Sequence, residues 1–315
     1  MEQIGRLVGH VRTEMERVVV GQREAIDQMI LCLLCGGHAI LEGVPGLAKT
    51  LSVKAMARLL QVSFHRVQCT PDLMPADVIG TNVFNPATAQ FALRRGPVFT
   101  DLLLVDEINR TPPRTQSALL EAMEERQVTI DGERHPLSEL FTVFATLNPV
   151  EFEGTYPLPE AQLDRFLVKI LIDYPAPGVE EDVLRRHEQG FDARDIQRMD
   201  LAPLPANAIA EARGELARIR VEDALVRYIA ALVRRTREWP SVSLGASPRG
   251  AIGLLGVAKA VAAIEGRDFV IPDDVKAIAR PVLRHRVILK PEAQLESVTP
   301  DQVVEEIVRS VEIPK

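Results

Sequence analysis

The most informative feature of this sequence is a glycine-rich segment that ends in lysine and threonine. It reads Gly43-Val44-Pro45-Gly46-Leu47-Ala48-Lys49-Thr50 and lies between a strand-like stretch, 39–41, and a helix-like stretch, 50–60. Backbone amides at a helix N-terminus attract phosphate oxygens, so this setting is typical of a phosphate-binding loop. The Lys49 ammonium is expected to reach the β- and γ-phosphates, and the Thr50 hydroxyl to coordinate Mg²⁺. The segment therefore predicts a site for ATP with magnesium.

One position departs from the usual form of such loops, in which glycine precedes the lysine. Here that residue is Ala48. Glycine tolerates positive φ, whereas an alanine is strained there, so we expect negative φ at this position. The methyl group takes little room, and a phosphate site remains the prediction.

An apolar run that ends in two acids supports the same site. Residues 102–105 are typical of a buried parallel strand, and Asp106 and Glu107 follow directly. Ligands of open parallel sheets lie at the carboxyl ends of the strands, so Asp106 is expected to hold Mg²⁺ through water. Glu107 is expected to orient and polarise the attacking water. The alternative for Glu107 is an N-cap of the helix that begins near Pro112.

Composition limits the classes of function. The chain has 315 residues, of which 46% are hydrophobic and 26% charged, which allows one large or two small domains. A net charge of −7 argues against a general nucleic-acid-binding surface. No apolar run reaches the roughly 18 residues that a membrane helix needs, and no secretory signal is evident, so we expect a cytoplasmic protein without membrane insertion.

Two cysteines and a histidine, Cys32, Cys35 and His38, have a spacing that could suggest a metal or redox site. The set lacks a full complement of ligands, and the cysteines lie three residues apart in an apolar, helix-like run. We therefore interpret them as buried structural residues.

The pattern of elements predicts a P-loop α/β core with a five-stranded parallel sheet covered by helices on both faces. Strand-like runs lie near 39–42, 62–68, 102–106, 141–147 and 166–172. Helical patterns lie at 4–18, 22–35, 50–60 and 113–125. Two segments, 81–93 and 126–137, read as inserted β-hairpins, which the core does not need for packing and which are candidates for partner contact.

A change in composition after residues 174–178, which contain two prolines and a glycine, predicts a hinge. We expect a core over residues 1–175 and a small all-α lid domain over 179–315. The expected lid helices lie near 179–189, 207–217, 222–236, 248–265, 273–283 and 299–311.

With these motifs in place, the chain resembles the AAA+ ATPases, and within them the MoxR family, over nearly its whole length. Ala48 before the lysine is usual in that family. The segments that carry the resemblance are Gly43 to Thr50, Asp106-Glu107-Ile108-Asn109-Arg110, Ala118-Leu119-Leu120-Glu121-Ala122-Met123-Glu124-Glu125, Gly245-Ala246-Ser247-Pro248-Arg249 and Gly266-Arg267-Asp268.

The resemblance implies roles for three further polar residues. Asn148 matches the sensor-1 position, which helps to hold the attacking water; a simple strand-ending turn is the alternative. Arg165 matches the arginine finger supplied to a neighbouring subunit; a salt bridge to Asp164 or Glu160 is the alternative. Arg249 matches sensor 2, in the first turn of a lid helix, where a γ-phosphate contact would tie lid position to nucleotide state; a surface arginine is the alternative.

Two further segments receive weaker interpretations. By the same resemblance, Val19, Val20 and Gly21 lie against the adenine, although they could simply end a helix. The basic cluster Arg284-His285-Arg286 is either a solvated helix end, favoured by the helix dipole, or a contact to a neighbour.

The resemblance implies an ATP-hydrolysing, chaperone-like homo-oligomer, a hexameric ring by family habit. It would remodel or activate a partner protein, and the family's implied partners carry von Willebrand factor A domains. Two other classes stay open: a nucleic-acid motor or loader of the same superfamily, and a nucleotide-gated scaffold with negligible turnover. Acidic charge and few aromatic residues argue against nucleic acid, and intact Glu107, Asn148 and Arg165 argue against the scaffold.

Overall fold

The computed structural model describes residues 2–149, 154–192, 196, 199–205 and 207–314. The outermost residues of the two expected domains, 1 and 315, lie outside this part of the chain. The strands are β1 (Ala39–Glu42), β2 (Phe64–Gln68), β3 (Gly80–Asn85), β4 (Gln90–Arg95), β5 (Leu102–Asp106), β6 (Gln127–Ile130), β7 (Glu133–Pro136), β8 (Thr142–Leu147), β9 (Val168–Leu171), β10 (Val242–Leu244) and β11 (Ile288–Leu289).

Most helices lie where the sequence periodicity predicts them, within a few residues at each end. A 3₁₀ turn at Ile108–Arg110 and three short helices, Pro75–Ile79, Glu160–Leu163 and Pro291–Leu295, were not expected. The helices are α1 (Glu2–Val18), α2 (Arg23–Leu34), α3 (Lys49–Leu59), α4 (Pro75–Ile79), α5 (Pro113–Glu125), α6 (Glu160–Leu163), α7 (Pro177–Glu188), α8 (Ala208–Leu216), α9 (Asp223–Glu238), α10 (Pro248–Ile264), α11 (Pro272–Leu283), α12 (Pro291–Leu295) and α13 (Pro300–Ser310).

The central sheet has five strands in the order β2-β5-β8-β1-β9, and every neighbouring pair is parallel. This confirms the predicted class of fold. The first three residues of strand β1 are apolar and fully buried, as expected for a strand covered on both faces. Because β1, β5 and β8 are neighbours or near neighbours, their carboxyl ends meet at one edge of the sheet.

Both predicted hairpins are present, as β3–β4 and β6–β7. The second turns through Asp131 and Gly132, which both have positive φ, as a tight two-residue turn requires. The first carries an aromatic pair near its tip, Phe84 and Phe91, with ring centroids 5.2 Å apart and exposed fractions of 49% and 72%.

The expected hinge is shorter than the sequence suggests. Pro177 and Gly178 are the first two residues of helix α7, because proline suits the first turn of a helix, where its missing N–H costs no hydrogen bond. The lid is also not entirely helical, since β10 and β11 form a small antiparallel ladder within it.

The lid packs directly on the core through an apolar cluster that is continuous between them. Helix α10 packs against α1 and α2, and α11 packs against the edge strand β9. Small residues permit this approach: a Cβ added at Gly253 of α10 would lie 3.2 Å from Leu167 of the core and 3.3 Å from Val282 of α11.

Both interpretations of the basic cluster at the end of α11 were wrong. His285 and Arg286 are buried, with exposed fractions of 7% and 6%. The cluster contacts carbonyl oxygens of the loop before β9 and of β9 itself: His285 Nε2 lies 2.9 Å from the Phe166 carbonyl of the loop, and Arg284 donates to the Lys169 carbonyl of β9 over 3.2 Å. Over the described residues, no helix combines the length and apolar character that crossing a membrane would take.

Candidate nucleotide-binding site

The glycine-rich segment connects β1 to α3 and needs two of its glycines. A Cβ at Gly43 would lie 2.4 Å from the Ile172 carbonyl oxygen, and Gly46 has a φ of +88°. Lys49 opens α3, and its ammonium donates to the carbonyl oxygens of Gly43 and Leu147. The lysine is thus held at the carboxyl ends of β1 and β8, beside the helix N-terminus.

The expectation of negative φ at Ala48 was wrong, because this residue has a φ of +56° and a ψ of +18°. The chain must reverse into α3 at this point, and the left-handed region makes that turn. For a non-glycine residue this conformation costs about 1 kcal/mol. The helix still begins regularly, since the Ser52 amide donates to the Ala48 carbonyl over 2.8 Å.

Asp106, the last residue of β5, is buried and surrounded by donors. Its carboxylate accepts from Thr50 Oγ1 at 3.3 Å, Thr146 Oγ1 at 3.0 Å and Arg66 Nε at 2.6 Å. The oxygens of Thr50 and Asp106 are hard ligands at a separation that one Mg²⁺ can share, so these residues fit the ion. Thr50 and Arg66 both donate to Oδ2 of Asp106, so a metal ion would compete with the Arg66 guanidinium for that oxygen.

Glu107 leaves the strand through a left-handed conformation, with a φ of +58°. Its amide donates to Thr146 Oγ1 over 2.8 Å, and its Oε2 accepts from Gln68 Nε2 at 3.0 Å and from Arg110 at 3.2 Å. The N-cap alternative was wrong: the side chain makes no capping hydrogen bond, and the helix beyond it, α5, begins at Pro113.

A recess of about 440 Å³ brings the phosphate loop and the acidic pair together. Asn148, the residue after β8, is buried and lines the same recess, as the sensor-1 resemblance implies. The recess is lined by Pro45, Gly46, Leu47, Ala48, Lys49, Thr50, Leu51, Arg66, Gln68, Asp106, Glu107, Thr146 and Asn148.

Sequence reasoning missed Arg66 and Gln68, which reach the recess from β2. Their strand pairs in register with β5, and Gln68 stands directly opposite Asp106. The available signal was the polar character of β2 at its carboxyl end, which is unusual for a strand of a buried parallel sheet.

An apolar pocket of about 470 Å³ adjoins the phosphate recess and shares four residues with it, 46–48 and 51. Val19 and Val20 line this pocket together with Leu51, Leu184 and Phe191, which suits a flat base. Gly21 lies beside this wall: its φ is +77°, and a Cβ there would lie 2.4 Å from Val179. Val44, within the glycine-rich loop, is half-buried.

Arg165 and Arg249 lie together in a different recess, also of about 440 Å³, away from Lys49. Both bind Glu124, the first at 3.0 Å through Oε2 and the second through Oε1. The partner of Arg165 is therefore neither Asp164 nor Glu160. Arg249 does not line the phosphate recess of its own subunit, and its side chain is held in the other recess by Glu124.

A parallel sheet of this order, with a phosphate loop, an acidic pair and a following lid, defines the AAA class of ATPases. The sequence matches the model of the ATPase family associated with various cellular activities (AAA) over residues 38–168, and that of the AAA lid domain over residues 234–307.

Related proteins extend the match to nearly the whole chain. Chaperone MoxR1 of Mycobacterium tuberculosis is 41% identical over 96% of this chain and 81% of its own. The uncharacterised protein YeaC of Bacillus subtilis is 45% identical over 99% and 97%. The crystal structure of a candidate ATPase from Cytophaga hutchinsonii superposes with a TM-score of 0.89 at 43% identity, over 99% of this chain and 96% of that one. This chain belongs to the MoxR family of AAA+ ATPases.

Proposed function

We propose that this protein hydrolyses ATP as a homo-oligomer in which each active site is completed by a neighbouring subunit. The observation that carries the proposal is the separation of its charged groups. Lys49, Asp106 and Glu107 line one recess, whereas Arg165 and Arg249 line another. A second copy that brought its arginine recess to the phosphate recess would unite the two sets.

Within one subunit, the residues fit the tasks of binding and hydrolysis. Lys49 and the amides of the loop hold the phosphates, and Thr50 and Asp106 hold Mg²⁺, which neutralises charge on the β- and γ-phosphates. Glu107 takes the proton of the attacking water, and Asn148 orients that water. Val19 and Val20 hold the adenine in the adjoining apolar pocket.

The neighbouring subunit supplies positive charge to the γ-phosphate. A guanidinium placed where charge develops stabilises the transition state, and arginine fingers of related enzymes contribute about 10³–10⁵ in rate. That corresponds to about 4–7 kcal/mol of barrier. Arg249 acts beside Arg165 in this proposal, on the neighbour's nucleotide, in place of the contact within its own subunit that the sequence suggested.

Mixing two inactive variants tests the intersubunit site. Lys49→Ala subunits do not bind ATP but keep Arg165, and Arg165→Ala subunits bind ATP but lack the finger. Each variant alone should release phosphate at a small fraction of the wild-type rate, and the mixture should recover part of it. Specific activity of the wild type should also rise with protein concentration. No recovery on mixing, together with flat specific activity on dilution, would remove the proposal.

The biological task is to remodel or activate a partner protein, in a ring of six subunits in the cytoplasm. Support comes from the name of the chaperone MoxR1 and from family habit. A protein with a von Willebrand factor A domain is the expected partner. An ATP-bound Glu107→Gln variant should retain such a protein from the same organism, whereas a Lys49→Ala variant should not. Equal retention by both would argue against an ATP-dependent partner.

A further inference from the structure

Glu124 is the residue at which Arg165 of the core and Arg249 of the lid come together. It belongs to α5, Arg165 to the segment between α6 and β9, and Arg249 to the first turn of α10. Each arginine engages one carboxylate oxygen through a single terminal nitrogen. Three separate elements therefore meet at one carboxylate.

The position of Glu124 is not explained by the stability of its own helix. It lies in the last turn of α5, where Glu125 is also acidic and no basic residue is present. The C-terminal end of a helix carries partial negative charge, so a carboxylate there is unfavourable. A compensating interaction must come from outside the helix, and the two guanidiniums provide it.

The charged residues around Arg165 and Arg249 also indicate that Glu124 is the carboxylate available to these two arginines. Arg126 and Arg286 line this recess as well. Burial lowers the pKa of the Arg286 guanidinium, and the positive charge of Arg249 lowers it further. The Asp164 carboxylate is already engaged by Arg286 at 2.8 Å and by Ser247 at 2.6 Å. This leaves Glu124 as the carboxylate that binds Arg165 and Arg249.

We propose that Glu124 is a positioning residue that holds Arg165 and Arg249 side by side, so that both meet the γ-phosphate of the neighbouring subunit. This inference rests on the proposed intersubunit site. A guanidinium has five N–H donors, so an arginine that binds Glu124 through one nitrogen keeps donors for a phosphate. The side chains are 31% and 45% exposed, which leaves them accessible from outside the subunit.

The test places the substitution in one kind of subunit at a time. In the mixture of Lys49→Ala and Arg165→Ala subunits, only the former donate Arg165. A Lys49→Ala/Glu124→Gln donor should recover at least tenfold less activity at saturating ATP, with the KM for ATP within about threefold, because the arginines act on turnover. The same Glu124→Gln change in the Arg165→Ala subunit should leave the recovery unchanged within twofold.

A matched control uses the adjacent residue. Glu125→Gln in the donor removes the same charge from the same turn of α5, and it should leave recovery at the level of the Lys49→Ala donor. If the original mixture shows no recovery, the proposed function fails. If it recovers, and the Glu124→Gln donor is as active as its parent or more active, the positioning role alone is overturned.

A second measurement does not depend on turnover. In the nucleotide-free protein, Glu124→Gln should lower the urea midpoint of unfolding, because Arg165 and Arg249 then repel one another without compensation. The same change in an Arg165→Ala/Arg249→Ala background should have little effect. Such a double-mutant cycle isolates the coupling from general damage to α5. Equal shifts of the midpoint in both backgrounds would contradict the inference.

Discussion

At the scale of single residues, Glu107 combines a strained backbone with a fully engaged carboxylate oxygen. Its left-handed φ turns the chain out of β5 and into the phosphate recess, and Gln68 and Arg110 both donate to Oε2. Backbone strain of this kind persists where the surrounding structure over-determines it, and it clusters at functional sites. The side chain is therefore fixed before the substrate arrives, which favours a role in chemistry.

Glu107→Gln should keep ATP binding and lose turnover. The amide oxygen can still accept both hydrogen bonds, so the geometry is retained, but it cannot take a proton from water. General bases contribute typically 10²–10⁴ in rate, so phosphate release should fall by about that factor. Titration with a fluorescent ATP analogue should give an affinity within about threefold of the wild type. Near-native phosphate release would show that Glu107 is not the base.

His38 makes stability depend on pH. It is buried, accepts the Val143 amide through Nδ1 at 2.9 Å and lies 3.1 Å from the Met123 carbonyl through Nε2. Burial lowers its pKa from 6.5 to about 4, despite the hydrogen bond to Met123, which raises it. The unfolded chain thus binds this proton near pH 6.5 and the folded chain only near pH 4, so stability is lost as pH falls through that window.

The loss attributable to His38 is about 3 kcal/mol between pH 6.5 and pH 4. Urea unfolding of a His38→Gln variant should therefore show a shallower decline of the free energy of unfolding over this range, even if its stability at pH 7 is lower. His187→Gln, at an exposed position, should leave the decline unchanged. Equal slopes for wild type and His38→Gln would contradict the assignment.

Residues of the site were predictable where one local segment holds the motif. Asp106 ends a strand, the phosphate loop, Glu107 and Asn148 each follow one directly, and parallel topology brings strand ends together. Arg66 and Gln68 were not predictable in the same way, because their role depends on the register between β2 and β5. The φ of Ala48 was mispredicted because the geometry of the turn overrode the steric preference of alanine.

At the scale of elements, the end of α11 is joined to the loop before β9 by a buried polar network. The Arg286 side chain is 3% exposed and donates to Asp164 Oδ1 at 2.8 Å, to the Phe166 carbonyl at 2.6 Å and to the Leu167 carbonyl at 3.0 Å. From sequence the cluster looked like a solvated helix end, because nothing local reveals which carbonyl oxygens a distant loop leaves without strand partners.

Arg286→Ala should destabilise the protein by about 3–5 kcal/mol, because it leaves Asp164 and the carbonyl oxygens of the loop without their buried partner. Chemical unfolding at pH 7 measures the change. Arg309→Ala is the matched control: its side chain is 74% exposed and pairs with Glu305 on the same helix, so the cost should be about 0.5 kcal/mol or less. A similarly small change in the free energy of unfolding for both variants would show that the network does not stabilise the contact between the end of α11 and the loop before β9.

At the scale of the whole molecule, the lid is part of the same packed body as the core. The alternation of strands and helices was enough to predict the parallel sheet and the helical second half. It did not predict where the lid docks, since that depends on how the surfaces of α10, α1 and α2 fit together. The short ladder β10–β11 also escaped prediction, because strands of two or three residues carry no measurable periodicity.

The packing of the lid on the core changes the expected response to ATP. The sequence suggested closure of the lid over its own nucleotide around residues 174–178. In the structure, α10 and α11 share an apolar cluster with α1, α2 and β9. The buried hydrogen bonds of Arg286 stabilise the same contact between lid and core. Domain rotation would break these contacts, so we expect the lid and core of one subunit to keep their distance when ATP replaces ADP.

Spin labels at two exposed positions measure this distance. Arg114→Cys lies on α5 of the core, and Leu295→Cys lies on α12 of the lid, where the native side chain is 87% exposed. Of the three native thiols, Cys32 and Cys69 are buried and Cys35 is half-buried. Burial raises the pKa of all three, so they should react slowly with the label. In mixtures of labelled and excess unlabelled subunits, the distance within a subunit should be the same with ADP and with a non-hydrolysable ATP analogue. In assemblies of singly labelled subunits, the distance between neighbours should change, because the arginines of one subunit then engage the nucleotide of the next. A change of the distance within a subunit, larger than the width of its distribution, would show instead that the lid moves on its linker.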